Sequence, residues 1–299
     1  MYYFLVITPL FLIIMSLIIY LVLSYNEMYN FLPKIETFSR YNGSPISSDH
    51  FKNYMDAIHR DIYHIKCPSY KTNFVLEYSK NIIKLPVKYK ALTDSYTNAA
   101  NKLTGEFKIF KKVPWTILVS INNLEMSMPY TLGNSIIIPL RTIKDLYTTF
   151  IHGHINNNFV NTLIHEKLHI IQRNNQRIFD EFYKTNYKFL DKKLNEPLPE
   201  NLHKITMTNP DSNNSIWIYK LENKRIIPLL IYANNSVTEI GYNIENHNDI
   251  TYLRNIKTSL GFSNNTSIYH PNEIFACEVA HHIMDNNLPD KYKKFIVKL

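Results

Sequence analysis

The amino-terminal segment constrains the folding of this chain most, because residues 1–24 contain no charged side chain. At a rise of about 1.5 Å per residue, a helix over this run can cross a hydrocarbon core of about 30 Å. Aromatic side chains mark both interfaces of a bilayer, and the tyrosines that flank this run are Tyr2, Tyr3, Tyr20 and Tyr25. The pattern therefore predicts a transmembrane anchor over residues 1–24.

Two alternatives for this segment stay open, namely a cleaved signal peptide and a buried core helix. A signal peptide would have a basic start, a shorter apolar stretch and a small-residue cleavage site, and the segment has none of these. Its orientation in a membrane also stays open. Lys34 and Arg40 follow the run, which mildly favours a domain held on the cytoplasmic side.

Beyond this run, the sequence divides into a tether and one domain. Residues 25–47 are polar and contain Pro33, Gly43 and Pro45, which predicts a tether. Residues 48–299 contain no long linker and no internal repeat, so we expect a single domain with an α+β fold. Apolar spacing predicts helices at 90–103, 159–171 and 273–284, and strands at 115–119, 135–138, 216–219, 226–232 and 239–244.

The composition excludes several classes of function. Only 6 glycines occur in 299 residues, and no Gly-x-Gly-x-x-Gly or phosphate-binding loop is present, which argues against a nucleotide-binding turn. The 2 cysteines, Cys67 and Cys277, are too few for a disulfide scaffold or a thiolate zinc finger, so we expect free thiols. The 33 basic residues are scattered rather than concentrated in a stripe, so no nucleic-acid partner is expected.

One short segment of the predicted helix at 159–171 carries metal chemistry. His165 and His169 are separated by one helical turn, so their imidazoles project from one face and can share an ion. Glu166 lies about 100° around the helix from His165, where it cannot easily be a third ligand. It can instead take a proton from a water molecule beside the ion, which is the logic of His-Glu-x-x-His zinc hydrolases.

The alternative interpretation is that this motif arose by chance. With 12 histidines in the chain, about 0.02 matches are expected at random. Leu163, Ile164 and Leu168 also bury the helix, and imidazoles and a carboxylate buried there without a partner would be costly. We therefore predict a site for one Zn²⁺ ion.

Three segments of the chain resemble a known family when they are taken together. They are HEKLHIIQR at 165–173, MPYTLGN at 128–134 and YHPNEIFA at 269–276. The chain resembles the gluzincin group of zincin metallopeptidases, and more closely a zincin-like family found in large DNA viruses and some eukaryotes. The resemblance covers roughly residues 85–285 and implies a zincin-like α+β metallopeptidase domain.

The resemblance implies roles for individual residues. His165, His169 and Glu273 would bind zinc, and Glu166 would be the general base. Glu273 lies in the first turn of a predicted helix, and a glutamate there is alternatively explained by the helix dipole alone. Glu278 is the next candidate for the third ligand.

Two positions depart from related zincin patterns. Metzincins carry Gly and His three and six residues after the second motif histidine, and here Gln172 and Asn175 occupy those positions, which excludes that class. Thermolysin-like members carry an aspartate four residues after the third ligand, where it orients a ligand histidine. Cys277 occupies that position here, so the groups that orient the ligands are not predicted by the resemblance.

The remaining candidate residues concern substrate binding and charge stabilisation. By the resemblance, the stretch 128–139 would lead into an edge strand that pairs with the substrate backbone. The candidate substrate-binding residues there are Tyr130, Thr131 and Gly133. An oxyanion stabiliser is expected near the zinc ion, and the candidates by position are Tyr232, Tyr269, His270, His281 and His282.

The sequence as a whole predicts a membrane-anchored zinc metallopeptidase that hydrolyses peptide bonds in a peptide or protein substrate. Residues 1–24 would contact the lipid bilayer of a host or virion membrane. Two alternatives stay open. One is a non-catalytic membrane or virion binding protein that keeps zinc for stability, and the other is a domain without metal and without peptidase activity.

Overall fold

A computed structural model describes residues 81–299, apart from 122–123, 204–205, 208–210, 212–214, 222, 234–235 and 248. The predicted anchor at 1–24, the predicted tether at 25–47 and Cys67 lie outside the described residues. No helix within the described part of the chain is long and apolar enough to cross a membrane.

Helices and strands are mixed along the described chain, which confirms the predicted α+β class. The helices are α1 (Lys90–Thr104), α2 (Lys108–Lys112), α3 (Leu140–Phe150), α4 (Asn157–Asn174), α5 (Gln176–Asn186), α6 (Glu200–His203), α7 (Pro271–Met284) and α8 (Asp290–Lys298). Short 3₁₀ helices cover Val87–Tyr89, Leu124–Ser127 and Leu253–Asn255. The three helices expected from periodicity are α1, α4 and α7, and all three are present.

The first sheet is mixed and has a short strand at each edge. Its strands are β1 (Ile82–Lys84), β2 (Ile117–Ser120), β3 (Tyr130–Leu132) and β4 (Ser135–Pro139), in the spatial order β1-β2-β4-β3. β2 and β4 are parallel, while β1 and β3 pair antiparallel with their neighbours. A tight turn joins β3 to β4, and Gly133 adopts φ 58° there, which glycine tolerates without a Cβ clash. Because β3 comes last in the strand order, it is an edge strand of this sheet.

The second sheet is an antiparallel meander. Its strands are β5 (Leu190–Leu194), β6 (Ile216–Leu221), β7 (Lys224–Ala233), β8 (Ser236–Asn243) and β9 (Ile250–Tyr252), in that spatial order. From β6, the Tyr219 hydroxyl donates a hydrogen bond to the carbonyl of Ile268 at 2.9 Å. This bond attaches the segment that leads into α7 to the sheet.

Helix α4 lies at the centre of the fold and contacts α1, α7, β3 and β4. Its amino terminus is capped by Asn156, whose side chain accepts hydrogen bonds from the N–H groups of Asn158 and Phe159. One stripe of the helix is apolar and buried, as its sequence spacing predicts. The apolar residues of this stripe are Val160, Leu163, Ile164, Leu168, Ile170 and Ile171.

Helix α7 packs against α4 and has two different sides. It begins at Pro271, and the Nδ1 atom of His270 caps it by accepting from the N–H of Asn272. On the side away from α4, Phe275 is fully buried and its ring lies 5.0–5.7 Å from four other rings. We call these five rings the aromatic cluster: Phe179, Phe182, Phe275, Tyr292 and Phe295.

Candidate metal centre

Three side chains converge between α4 and α7. The Nε2 atoms of His165 and His169 are 2.8 Å apart. The two carboxylate oxygens of Glu273 each lie 3.4 Å from one of these nitrogens. Zinc ligands at about 2.0–2.1 Å in a tetrahedron are about 3.3 Å apart, so the carboxylate is already at the required spacing. The imidazoles need only a small separation to receive an ion.

Local structure explains this convergence. The two histidines are one turn apart on α4 and project from the same face. Glu273 lies in the first turn of α7, which the partial positive charge of a helix amino terminus favours for a carboxylate. The His169 side chain is 1% exposed and that of His165 is 19% exposed, so the centre opens on the His165 side.

Glu166 is a buried carboxylate next to His169. Its Oε2 atom has no hydrogen-bond partner among the described residues, which is costly for a buried polar atom. Burial, followed by the nearby charge of Asp211, raises the pKa of Glu166 to about 7. Ligand atoms of Glu166, His169 and Asp211 all lie within 4.8 Å of one another. An incoming polar group, such as a water molecule, would satisfy this oxygen.

The charged groups of the centre stabilise one another. Burial alone would lower the pKa of His169, but the Glu273 and Asp211 carboxylates hold this pKa above its usual value. The pKa of His165 is also raised, against burial, by Cys277 and Glu273. Burial would raise the pKa of Glu273, yet the two imidazoles hold it well below its usual range. A cation at the same point would replace the protons of the imidazoles.

Two residues beside the ligands were not predicted as orienting groups. Gln172 accepts a hydrogen bond from Nδ1 of His169 through its Oε1 atom, at 2.8 Å. Cys277 contacts the His165 ring, and its sulfur lies within 4.8 Å of ligand atoms of His165 and Glu273. The i+3 spacing of Gln172 from His169 places both on one helical face, and this is the signal that could have identified it.

Among the oxyanion candidates, the structure brings Tyr269 to the centre. Its hydroxyl donates a hydrogen bond to Oε1 of Glu273 at 3.2 Å. His270 instead caps α7, and its Nε2 atom lies 3.0 Å from the Ser215 hydroxyl. Burial lowers the pKa of His270 to about 3, so this imidazole is neutral. The side chain of Tyr232 lies outside what the structure describes.

The other candidates on α7 point away from the ligands. Glu278 accepts a hydrogen bond from the Thr266 hydroxyl at 2.5 Å and pairs with His282 at 3.7 Å. His281 pairs with Asp285 at 3.3 Å on the exposed side of the helix. The structure therefore places Glu273, and not Glu278, against the two imidazoles.

The predicted substrate-binding residues lie at the edge strand β3, but its outer side is in contact with the chain itself. The backbone N–H of Thr131 donates to Oδ1 of Asp211 at 3.2 Å, and the Thr131 hydroxyl bonds to the same oxygen. Arg173 donates to the carbonyl of Gly133 and pairs with Asp211 at 3.5 Å. Tyr130, Thr131 and Gly133 are all buried. Neither Asp211 nor Arg173 was predicted at this edge.

The donor set fits zinc by its chemistry. Two imidazole nitrogens and one carboxylate are found in catalytic zinc sites, which leave a fourth position for water or substrate. No protein-family model, curated protein or solved structure matches this chain.

Proposed function

We propose that this protein is a zinc-dependent peptidase with its centre between α4 and α7. His165, His169 and Glu273 would hold the ion, and Glu166 would act as the general base. The observation that carries the proposal is the Oε2 atom of Glu166, which is buried beside three converging ligands and has no hydrogen-bond partner among the described residues. Zinc bound here would act as a Lewis acid that polarises the scissile carbonyl group and makes a nearby water molecule more acidic.

The residues of the chain provide the proton transfers of peptide hydrolysis. Glu166 takes a proton from the attacking water molecule, and its burial makes the carboxylate a better proton acceptor than an exposed one. The same carboxyl group then gives the proton to the leaving amine as the C–N bond breaks. Tyr269 keeps Glu273 in place by donating a hydrogen bond to it. Substrate would approach from the side of His165, the more exposed of the two histidines.

The proposal includes a membrane anchor formed by residues 1–24, which is supported by the uncharged run in the sequence. The substrate would then be a peptide or protein close to that membrane. We expect the full chain to remain in the membrane fraction after alkaline carbonate extraction and a chain that starts at residue 25 to be released. Release of the full chain would contradict the anchor.

The mechanism is tested by Glu166→Gln, with Glu278→Gln as the matched control. The first change removes the base but no ligand, so we expect unchanged zinc content and a loss of about 10²- to 10⁴-fold in turnover. The control removes a carboxylate on α7 that does not face His165 and His169, so zinc content and turnover should both be unchanged. Zinc is measured by elemental analysis and turnover with a peptide library. Full activity of Glu166→Gln would contradict the mechanism.

One observation favours a second candidate function, a non-catalytic binding protein that keeps zinc for stability. The outer edge of β3, where a substrate strand would add, is occupied by Asp211 and Arg173. Zinc binding by the full chain without turnover of any peptide in the library would support this alternative.

A further inference from the structure

A network of buried hydrogen bonds lies behind His169, on the side of its Nδ1 atom. The Oε1 atom of Gln172 is 2.8 Å from Nδ1 of His169. The Nε2 atom of Gln172 donates to the backbone carbonyl of Asn272 at 2.9 Å and to the Tyr183 hydroxyl at 3.1 Å. Gln172, Tyr183 and Asn272 are all buried, so water does not compete for these bonds.

Two backbone carbonyls determine which group donates and which accepts in every hydrogen bond of this buried network. A carbonyl oxygen only accepts, so the Gln172 amide must present its NH₂ group to the carbonyl of Asn272 and its oxygen to His169. At the other end, the Asn272 side-chain NH₂ group donates to the carbonyl of Asp211 at 2.9 Å. The Asn272 side-chain oxygen therefore accepts from the Tyr183 hydroxyl at 3.0 Å, which leaves the Tyr183 oxygen to accept from Gln172.

We propose that Gln172 is a positioning residue that holds His169 in the Nδ1–H tautomer, so that the Nε2 lone pair faces the metal. The inference rests on the proposed zinc centre and assigns the group that orients one of its ligands. An amide oxygen facing Nδ1 requires a proton on that nitrogen, and a neutral imidazole has only one. The Nε2 atom, which faces Glu273 and the Nε2 atom of His165, then keeps its lone pair for an ion.

The neutral amide also limits the charge of the centre. A carboxylate in this position would make the ligand more basic, as is common behind metal-bound histidines. Here it would add a further buried negative charge near Glu166, Glu273 and Asp211, and like charges in a buried site oppose ionisation. It would also face the carbonyl of Asn272, which accepts from Gln172 but cannot donate. Glutamine orients the ring without either cost.

The test compares Gln172→Met with Tyr183→Phe in the full chain. The first variant keeps the side-chain size and removes the acceptor for His169, so zinc affinity should fall about 10- to 100-fold. The second variant removes the Tyr183 hydroxyl from the same hydrogen-bond network but leaves Gln172 bonded to the carbonyl of Asn272. Its zinc affinity should change by less than about threefold. Affinity is measured by competition with a chromophoric chelator.

A second measurement needs no variant. Long-range ¹H–¹⁵N spectra of the metal-free wild-type protein, at alkaline pH where imidazoles are neutral, report which nitrogen of His169 carries the proton. We expect Nδ1–H. The proposal is overturned by an Nε2–H tautomer, or by a Gln172→Met variant that binds zinc as tightly as the wild type. A wild-type protein that binds no zinc would instead contradict the proposed function. The measured tautomer of His169 would still test whether Gln172 determines its protonated nitrogen.

Discussion

The two sides of α7 carry opposite kinds of interaction within three residues. Glu273 faces α4 and meets two imidazoles and a tyrosine hydroxyl. Phe275 is about 200° around the helix and meets the rings of the aromatic cluster. The aromatic side needs no ligand, because ring packing and burial stabilise it directly. The metal side, which carries the candidate metal centre, is instead stabilised by pairing between buried charged groups, and a cation there would replace the imidazole protons.

This difference means that the aromatic cluster maintains the position of α7, while Glu273 on the other side of the helix completes the candidate metal centre. The ligands are held in place before an ion binds, which limits the reorganisation needed on binding. Changes on the aromatic side should therefore alter stability whether or not zinc is bound. Changes on the metal side should alter zinc-dependent properties.

The largest effect is expected for Phe275→Ala. Removing a fully buried ring leaves a cavity, so the free energy of unfolding should fall by about 3–5 kcal/mol. The loss should be similar with zinc and with a chelator, as measured by urea unfolding. His165→Ala is the contrasting variant, and its loss of stability should be larger with zinc than with a chelator. A zinc-dependent loss for Phe275→Ala would break the comparison.

The next effect concerns the pH dependence of zinc affinity. Burial opposes the imidazolium forms, but neighbouring groups keep the pKa values of His165 and His169 above their usual value, so protons compete with zinc. Affinity should therefore fall as the pH falls, by about tenfold or more per unit below these pKa values. Titrations in a pH series measure it, and Phe275→Ala should keep the same slope. A flat profile from pH 6 to about 8 would show that no imidazole binds the ion.

The smallest effect is expected for Tyr269→Phe. Loss of the hydrogen bond to Glu273 should weaken zinc binding by about 0.5–1.5 kcal/mol, the usual contribution of one such bond. Tyr96→Phe is the control, because the Tyr96 hydroxyl accepts from the N–H of Asn156, at the amino-terminal cap of α4 and away from Glu273. Chelator competition should show unchanged affinity for the control. Equal effects of both variants would indicate a general loss of packing.

The sequence predicts the parts of this site that depend on local spacing. The motif on α4 requires only helical periodicity, and Glu273 follows from a segment that resembles a known pattern. The hydrogen-bond network behind His169 could not be predicted in full, because Tyr183 and Asn272 bond to Gln172 from separate helices. The contact between Asp211 and Thr131 joins residues that are 80 positions apart, and no local pattern signals it. The short strand β3 likewise depends on pairing with β4 rather than on its own periodicity.

The placement of the two tryptophans has a spectroscopic consequence. Trp115 lies 3.7 Å below the ammonium group of Lys167, which belongs to α4. Trp217 packs edge-on against Tyr183, with ring centroids 6.3 Å apart, and Tyr183 bonds to Gln172. These are the only 2 tryptophans in the chain. Trp115 therefore contacts α4 directly, and Trp217 is connected to it through Tyr183 and Gln172. The intrinsic emission of two single-tryptophan variants would report on movements of α4 through these two different contacts.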